Sequence, residues 1–369
     1  MKNILIFSCI IFSLLCYADS WKSESVKNTI PKERGSHTLT NIGDVYYLFG
    51  GCDDRRLWKF NLSDNTFTEV EQFKSGNIFT GHVALELSGK LYFLFGLKNN
   101  TTNLKIYSYN FNAKGELEEE NLADNISNLQ RKDFAGVQHG NSFYIFGGRK
   151  DDTNLVSSEL AFVKLTYNNN KWEYEEVELP STDAPALRYG HKMISHGGDF
   201  YLFGGQNGST YYSDVWKYAP DRNEWTELSV SKGKKPSGRS FSTMAMINSE
   251  LWITGGISNG EYLKDTWKFD ITKKEWEKKR NAPKAHAQTE SILSSMENNN
   301  IKLTIWGGKS SSSNFVSKSN IYIYDSTDRP EDDDDDDDSH VHVFCGMLGI
   351  EFLAIICILS IFHNLKKKS

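Results

Sequence analysis

A short apolar run that ends in glycine recurs six times along the chain, and it constrains the fold more strongly than any other feature. Five runs end in Gly-Gly, and a degenerate copy ends in Gly96-Leu97. The first glycines stand at positions 50, 96, 147, 204, 255 and 307, so successive copies are 46, 51, 57, 51 and 52 residues apart. Each run is rich in β-branched and aromatic residues and bounded by turn residues, which predicts a buried strand. A period of this length indicates a repeat architecture.

Two further landmarks keep register with the glycines. Polar turns separate an aromatic or leucine residue from an aromatic residue seven positions later, which predicts a hairpin of two more strands. These pairs are Phe60 and Phe67, Leu165 and Trp172, Tyr218 and Trp225, and Phe269 and Trp276. An arginine also precedes the first glycine by sixteen residues in four copies, at Arg34, Arg131, Arg188 and Arg239, and the sixth copy has His286 in this region.

Four strands in a unit of about 50 residues are what one blade of a β-propeller contains. The order and offsets of these motifs resemble the kelch repeat, and the resemblance covers roughly residues 20 to 328. The second copy lacks the second glycine, the arginine and the tryptophan, and we interpret it as a divergent blade. We therefore expect an all-β, six-bladed kelch-type propeller.

The way in which the propeller closes can also be predicted. The sixth copy contains a third strand, Asn320 to Asp325, but no tryptophan strand after it. The segment from Ser20 to Val26 resembles the missing fourth strand. We expect the N-terminal strand to complete the last blade, because this leaves no unpaired sheet edge.

Both ends of the chain carry membrane signals. An apolar run from Ile4 to Leu15 follows Lys2 and precedes small residues, as in a secretory signal peptide cleaved after Ala18. A second apolar run is long enough to cross a bilayer as a helix, and the lysines after it place that end in the cytoplasm. The predicted segments are a signal peptide at 1–18, the propeller at 19–328, an acidic disordered stalk at 329–342, a transmembrane helix at 343–362 and a short basic cytoplasmic tail at 363–369. This predicts a single-pass type I membrane protein.

The membrane segment and tail carry two more signals. Lys366 and Lys367 resemble the dilysine retrieval signal of endoplasmic-reticulum proteins, although lysines also end any stop-transfer sequence. We expect the endoplasmic reticulum, with the cell surface as the alternative. Glu351 lies in the apolar helix, where an ionised group is costly, and Gly346 and Gly349 permit close helix approach. These three residues predict a transmembrane-helix partner.

A binding face follows from the kelch resemblance. In kelch proteins that bind peptides or acidic motifs, the contacts come from the arginine positions and from residues just after the diglycines. Carried over, the face comprises Arg34, Arg131, Arg149, Arg188, Arg239, His286, Gln206 and Lys309, with Asp53 and Asn207 beside them. Converging guanidinium groups suit carboxylates. In the alternative, each arginine pairs with a local backbone carbonyl or carboxylate.

These features predict a membrane-anchored binding module for a protein or glycoprotein ligand. The alternatives are a cell-surface receptor or adhesion protein, and a propeller enzyme of the oxidase or sugar epimerase type. We expect no catalysis, no cofactor and no metal, because Cys52 stands alone between the signal and the membrane region and no ligand cluster suits a copper-radical oxidase. A net charge of −6 argues against a nucleic-acid partner.

Two surface features remain. Acceptor motifs for N-glycosylation predict a glycoprotein, at Asn61, Asn99, Asn100, Asn125 and Asn207. A glycan on Asn207 would obstruct the predicted face. The eight acidic residues from Glu331 to Asp338 predict an extended stalk through self-repulsion, with weak Ca²⁺ attraction as the alternative.

Overall fold

The computed structural model describes residues 20–325, apart from positions 72, 74, 104, 112–116, 123–127, 181, 229–232, 296–300 and 317–319. The predicted signal peptide, stalk, membrane helix and cytoplasmic tail therefore lie outside the described residues. So do Asn125, Gly346, Gly349, Glu351, Lys366 and Lys367. In the described part of the chain, no helix is long and apolar enough to cross a membrane.

The described chain is all-β, and six four-stranded antiparallel sheets dominate it. We number these sheets 1 to 6 in the order of the repeats, and the sheet of the last repeat also contains the first described strand. The first strand of the chain is β1 (Ser20–Ser25). Sheet 1 contains β2 (Thr38–Ile42), β3 (Val45–Phe49), β4 (Trp58–Asn61) and β5 (Thr66–Glu69). After β6 (Phe79–Thr80), sheet 2 contains β7 (Val83–Leu87), β8 (Lys90–Leu94), β11 (Ile106–Asn110) and β12 (Glu118–Glu119), with the ribbon β9 (Leu97–Lys98) and β10 (Thr101–Thr102) inserted.

The remaining sheets repeat this plan. Sheet 3 contains β13 (Ala135–His139), β14 (Ser142–Phe146), β15 (Phe162–Asn168) and β16 (Lys171–Glu176). Sheet 4 contains β17 (Lys192–His196), β18 (Asp199–Phe203), β21 (Val215–Ala219) and β22 (Glu224–Glu227), with the ribbon β19 (Gln206–Asn207) and β20 (Thr210–Tyr211). Sheet 5 contains β23 (Thr243–Ile247), β24 (Glu250–Thr254), β27 (Thr266–Asp270) and β28 (Glu275–Lys279), with the ribbon β25 (Ile257–Ser258) and β26 (Glu261–Tyr262). Sheet 6 contains β29 (Glu290–Ser295), β30 (Ile301–Trp306), β31 (Asn320–Asp325) and β1.

The predicted N-terminal strand is confirmed as the fourth strand of sheet 6. β1 pairs antiparallel with β31, and Trp21 stands opposite Tyr324 with their ring centroids 5.5 Å apart. The Trp21 indole also donates a hydrogen bond to the Arg280 carbonyl (2.8 Å). The chain therefore joins its first described strand to its last one.

A ring of backbone hydrogen bonds joins the six repeats near the start of their first strands. In each repeat one residue with φ between +56° and +67° donates its N–H to the carbonyl of its counterpart in the preceding repeat. The bonds run from Gly81 to Ser36 (3.4 Å), Asp133 to Gly81 (3.1 Å), Gly190 to Asp133 (2.8 Å), Phe241 to Gly190 (2.6 Å), Gln288 to Phe241 (3.0 Å) and Ser36 to Gln288 (2.7 Å). The first strands neighbour one another in the same order, and β29 lies beside β2. The arrangement is propeller-like.

The paired glycines follow the second strands, where two neighbouring segments of the chain leave no room for a side chain. A Cβ on Gly50 would lie 2.5 Å from His82 of the next sheet, and a Cβ on Gly51 would lie 2.8 Å from His37 of its own sheet. Both glycines also have positive φ, which other residues adopt at a cost. The repeated motif is therefore a packing requirement at the joint between sheets.

The second repeat differs by one residue from the register that the sequence suggested. β8 ends before Phe95, so Phe95 (φ +50°) takes the first-glycine position and Gly96 takes the second. The Gly96 N–H donates to the Arg131 carbonyl of the next repeat (2.8 Å), as the second glycine does in the other repeats. The prediction that this repeat lacks the second glycine is wrong, because it lacks the first.

A compensating exchange explains how Phe95 fits. In sheet 2 the residue that meets Gly50 is His82, whereas Phe134 holds the corresponding place in sheet 3 and meets Phe95. The two phenylalanine rings lie 6.1 Å apart between their centroids. An aromatic pair thus replaces the glycine–histidine contact at this joint.

The aromatic residues of the fourth strands pack between sheets. Three of the four predicted pairs stand opposite each other, namely Phe60 and Phe67, Tyr218 and Trp225, and Phe269 and Trp276. In repeat 3 the pairing is shifted: Trp172 stands opposite Tyr167 rather than Leu165, because β15 and β16 continue to a two-residue turn at Asn169-Asn170. Trp225 contacts Phe146 of the preceding sheet, with ring centroids 5.5 Å apart.

Candidate ligand-binding face at the mouth of the channel

The repeated arginines are buried within their repeats. The exposed fraction is 0% for Arg34, Arg131 and Arg239 and 1% for Arg188. In all four, Nε donates to the carbonyl two residues earlier and Nη1 donates to the carbonyl of the first glycine, sixteen residues later, at 2.9–3.1 Å. Each arginine therefore fastens the loop before the first strand to the end of the second strand.

Carboxylates complete three of these arginine sites. Arg188 binds Asp214 (2.6 and 2.8 Å) and Arg239 binds Asp265 (2.6 and 2.7 Å), each through two parallel hydrogen bonds. Arg34 binds Asp54 (2.7 Å). The same aspartates accept the indole N–H groups of Trp58 (3.1 Å), Trp216 (2.7 Å) and Trp267 (2.7 Å).

The prediction that these arginines form an exposed contact ring is wrong for a physical reason. Their guanidinium groups are enclosed by protein, and for Arg188 the Tyr212 ring covers the group at 3.9 Å. His286, which holds the place of the arginine in repeat 6, is 1% exposed, and burial lowers its pKa to about 4. The alternative, in which each arginine pairs with a local backbone carbonyl or carboxylate, describes all four arginines.

Arg131 differs from the other three in having no carboxylate partner within the described structure. Ala161 holds the place of the aspartate in repeat 3, since its carbonyl accepts the Gly147 N–H as the Asp214 carbonyl accepts that of Gly204. The Arg131 Nη2 makes no hydrogen bond within the described structure, and burial lowers the pKa of this side chain to about 9. Repeat 3 thus retains a buried arginine without the aspartate that accompanies the others.

The surface at this end of the channel is built by two loops of each repeat. We define the mouth as the six residues of the backbone ring, the residue before each of them, and the residue that follows the last glycine of each motif. The residues after the last glycine are Cys52, Leu97, Arg149, Gln206, Ile257 and Lys309. In four repeats, two backbone hydrogen bonds of 2.8–3.0 Å join the residue after the last glycine to the residue before the ring position, as between Gln206 and Tyr189. The side chains of the mouth therefore stand on a fixed frame.

Arg149 is the predicted site residue with the most contacts at the mouth. Its Nε donates to the Asp133 carboxylate (2.7 Å), and its guanidinium lies 4.7 Å from the centroid of the Tyr189 ring. Lys132 pairs with Asp152, which also lies 3.6 Å from Arg149 Nη1. Burial raises the pKa of Asp133, against the attraction of Arg149. The charges of this cluster are therefore largely balanced.

The other predicted residues of the mouth differ in exposure and in their side-chain partners. Gln206 is half-buried, and its side-chain carbonyl accepts the Ser240 hydroxyl (2.6 Å). Lys309 is half-buried, lies 5.8 Å from the Phe315 ring and makes no salt bridge within the described part of the chain. Asp53 is exposed and pairs with Lys32.

The predicted glycosylation sites within the described residues are exposed. Asn61 lies at the end of β4, where its side-chain oxygen accepts the Ser63 N–H (2.9 Å). Asn99 and Asn100 form the turn of the ribbon β9–β10, and Asn207 lies in the ribbon β19–β20 next to the mouth. Glycans at these ribbons would therefore flank the mouth.

A cavity of ≈ 180 Å³ lies inside the circle of first strands. An ion pair between Lys192 of sheet 4 and Glu290 of sheet 6 lies in its wall. Its wall also contains His37, His82 and His191, each with at least one ring nitrogen that has no hydrogen-bond partner among the described residues. Burial lowers the pKa of all three, to about 3 for His82, so they are neutral at physiological pH.

Cys52 is a free, half-buried thiol whose pKa is raised by burial. A raised pKa keeps the thiol protonated and weakly nucleophilic at neutral pH. Over the part of the chain that the structure covers, no group of three or more His, Cys, Asp or Glu side chains is placed to hold a metal ion.

Sequence reasoning missed the mouth residues that adjoin the arginines. Tyr189 directly follows Arg188, while Phe241 and Gln288 stand two positions after Arg239 and His286. All three are half-buried. The positions one and two after the arginine differ from copy to copy, and this variation beside a constant arginine was the signal that could have identified them.

Comparison with known proteins agrees with this geometry. Residues 133–329, more than half of the chain, match the family described as the KLHDC2/KLHL20/DRC7 Kelch-repeats domain. Over 329 residues the chain is 26% identical to Tip elongation aberrant protein 1 of Schizosaccharomyces pombe, covering 84% of this chain and 28% of that protein. Over 243 residues it is 24% identical to Kelch domain-containing protein 3 of Rattus norvegicus, covering 64% of this chain and 51% of that protein.

A third relative is the Leucine-zipper-like transcriptional regulator 1 homolog of Drosophila melanogaster, at 25% identity over 269 residues. That match covers 69% of this chain and 27% of the relative. The chain thus spans between about a quarter and a half of the length of these relatives.

Proposed function

The chain belongs to the kelch-repeat family, and on that premise we propose that it is a protein-interaction module whose mouth binds a protein or glycoprotein ligand. The observation that carries the proposal is the frame of the mouth. Paired backbone hydrogen bonds fix the loops, so that half-buried side chains such as Arg149, Tyr189, Phe241 and Lys309 are held in place before a ligand arrives. Residues held in their bound positions lose little entropy on binding.

Affinity purification with the full chain tests this function. A triple variant, Arg149→Ser with Phe241→Ser and Lys309→Ser, should lose at least 90% of a captured partner. The matched control is Arg222→Ser with Lys273→Ser, which removes two exposed cations from turns at the opposite ends of the strands. Both proteins should unfold at nearly the same temperature. Equal capture by both would refute the mouth as the binding face.

We further infer that the six sheets close as a six-bladed propeller. The backbone ring that returns from Gln288 to Ser36 and the pairing of β1 with β31 support this closure. The Ser36 N–H joins the first repeat to the last. In a closed ring its hydrogen exchange should be as slow as that of the Gly190 N–H. Much faster exchange at Ser36 would indicate that the ring opens there.

We also propose that this module is carried by a single-pass type I membrane anchor, with the endoplasmic reticulum favoured and the cell surface as the alternative. The predicted signal peptide at 1–18, the apolar segment 343–362 and the lysines at 366 and 367 support this. The transmembrane-helix partner through Glu351, Gly346 and Gly349 belongs to the same proposal.

Two observations in cells test the anchor. The ectodomain should be protected from protease inside microsomes and should shift in size after glycosidase treatment, as the exposed Asn61, Asn100 and Asn207 allow. Replacing both Lys366 and Lys367 by serine should release the protein from the reticulum. A protein digested by protease added outside intact microsomes would contradict the topology.

A further inference from the structure

We propose that a small monovalent anion, such as chloride, binds beside the Arg131 guanidinium inside repeat 3. This inference goes beyond the proposed function, because it concerns a buried site and not the mouth. Three features carry it: a guanidinium nitrogen without a partner, the carboxylates bound by the same nitrogen in three other repeats, and the smaller side chains of repeat 3. The anion would complete repeat 3 as an aspartate completes repeats 1, 4 and 5.

The Arg131 guanidinium is held in place with one nitrogen left over. Its Nε donates to the Leu129 carbonyl (3.0 Å) and its Nη1 donates to the Gly147 carbonyl (3.1 Å). Its Nη2 is buried and makes no hydrogen bond within the described structure. An arginine stays protonated at neutral pH, and burying its charge without a partner is costly. The site therefore favours a negative charge at Nη2.

The other repeats show where that charge belongs. The Nη2 atoms of Arg34, Arg188 and Arg239 each donate to an aspartate oxygen, at 2.7–2.8 Å. In repeats 4 and 5 the second oxygen of that aspartate also accepts from Nη1, at 2.6 Å. The Nε and Nη1 bonds of Arg131 to backbone carbonyls match those of the other three arginines. Its remaining N–H groups are therefore aimed at the corresponding position, where a fork of donors suits an anion.

Three buried side chains of repeat 3 are smaller than their counterparts around Arg188. These are Ala161 for Asp214, Val163 for Trp216 and Val156 for Tyr212. The loop of repeat 3 also has three more residues than that of repeat 4, but Ser157, Ser158 and Glu159 are exposed. The longer loop thus extends towards solvent. The smaller side chains favour an ion where an aspartate lies in repeat 4.

Charge and surroundings limit the ligand to a small monovalent anion. One guanidinium balances one negative charge. The side chains of Leu129, Val156 and Val163 are apolar and at most 7% exposed. A divalent anion such as sulfate would lose its hydration there without enough donors to replace it. Chloride carries a single charge and can accept both N–H groups of the fork, as the aspartates do in repeats 4 and 5.

Exchange of anions at constant ionic strength tests the site. Urea unfolding of the full chain is compared in chloride and in gluconate, a monovalent anion too large for the site, both at about 0.15 M so that screening is the same. We expect chloride to lower the equilibrium constant of unfolding about fivefold, which corresponds to a Kd of about one quarter of the chloride concentration. Ala161→Asp supplies the charge covalently, so it should abolish the difference between the two salts.

A matched variant distinguishes this site from other effects of chloride. Ser158→Asp adds the same charge at an exposed position of the same loop and should retain the chloride effect. Arg131→Met should lose it. Equal chloride effects in Ala161→Asp and in the wild type would refute the site, because chloride would then act elsewhere. The absence of any chloride effect in the wild type would refute it as well.

Bromide in crystals of the wild-type chain gives a direct observation that does not depend on whether the variants fold. Bromide carries the same charge as chloride and is located by its anomalous scattering. An anomalous peak beside Arg131 Nη2 would support the proposal. Bromide bound only at other positions would overturn it.

Discussion

Among single residues, the repeated arginine has one constant structural role and one variable partner. It bonds the first-glycine carbonyl in all four repeats that contain it, whereas a carboxylate accompanies it only in three. A buried guanidinium without a counter-ion is costly, because its desolvation is not offset. Repeat 3, which holds Arg131, therefore lacks stability that repeats 1, 4 and 5 gain from their carboxylates.

Restoring the missing carboxylate should stabilise the protein. We expect Ala161→Asp to raise the free energy of unfolding by about 1.5 kcal/mol, the lower end for hydrogen bonds to charged groups. Denaturant unfolding of the full chain measures this value. In an Arg131→Met background the same change buries an unpaired carboxylate, so it should destabilise. A gain of equal size in both backgrounds would contradict an interaction between Arg131 and the introduced carboxylate.

The sequence holds a signal for two of these aspartates. Asp214 and Asp265 each stand ten residues after the first glycine and two before a tryptophan. Repeat 1 places Asp54 four residues after its first glycine, which hides the correspondence. Spacing alone could not show that the arginines are enclosed, because Tyr212 covers Arg188 from a different loop.

At the level of elements, strand order and the pairing of the first strand with the last sheet followed from the sequence because the motifs mark strand ends. The predicted register of β8 is wrong by one residue, because Gly96 corresponds to the second glycine of the other copies and not to the first. Nothing local distinguishes the two positions. The difference lies in the contact between Phe95 and Phe134, which are distant in sequence.

The corrected register predicts which contact Gly96 makes. A Cβ at Gly96 would lie 2.6 Å from the backbone nitrogen of His82, in addition to the strain of φ at +74°. We expect Gly96→Ala to cost about 3 kcal/mol, the upper end for a strained backbone position. The matched control is Gly89→Ala, with φ of +79° and no atom within 4 Å, which should cost about 1 kcal/mol of strain alone. Equal losses in thermal or denaturant unfolding would contradict the close approach.

The N-terminal strand should stabilise the whole domain, because it completes sheet 6. Trp21→Ala removes the contact with Tyr324 and the hydrogen bond to Arg280. The loss should be roughly 2 kcal/mol, below the roughly 3–5 kcal/mol of a fully buried tryptophan, since Trp21 is half-buried. Lys22→Ala, next to it and exposed, is the control. Unfolding of Trp21→Ala at the wild-type denaturant concentration would contradict closure by this strand.

For the molecule as a whole, the sequence predicted the framework better than the binding chemistry. Diglycines and arginines recur because every joint between sheets has the same packing problem. Mouth residues such as Tyr189 and Phe241 do not recur, so periodicity cannot find them. Their proximity depends on the circular arrangement, which brings repeats 4 and 5 side by side.

The same circular arrangement buries histidines at the joints, which makes the stability of the molecule depend on pH. Burial keeps His37, His82, His191 and His286 neutral, with pKa values of about 3 for His82 and about 4 for His286. Their ordinary pKa is about 6.5, so below that pH the unfolded chain binds more protons than the folded one. Stability is therefore present above pH 6.5 and is lost as the pH falls towards the folded pKa values.

Each such histidine should contribute about 1.4 kcal/mol of lost stability per pH unit below about 6.5. Replacing His82 by phenylalanine, the residue that sheet 3 carries at this place as Phe134, should reduce the slope of unfolding free energy against pH by about one proton between about pH 6 and pH 4.5. His196→Gln, at the half-buried end of β17, serves as the control. An unchanged slope in His82→Phe would contradict this prediction. It would mean that a proton reaches His82 in the folded protein, although a Cβ on Gly50 would lie only 2.5 Å from the His82 ring.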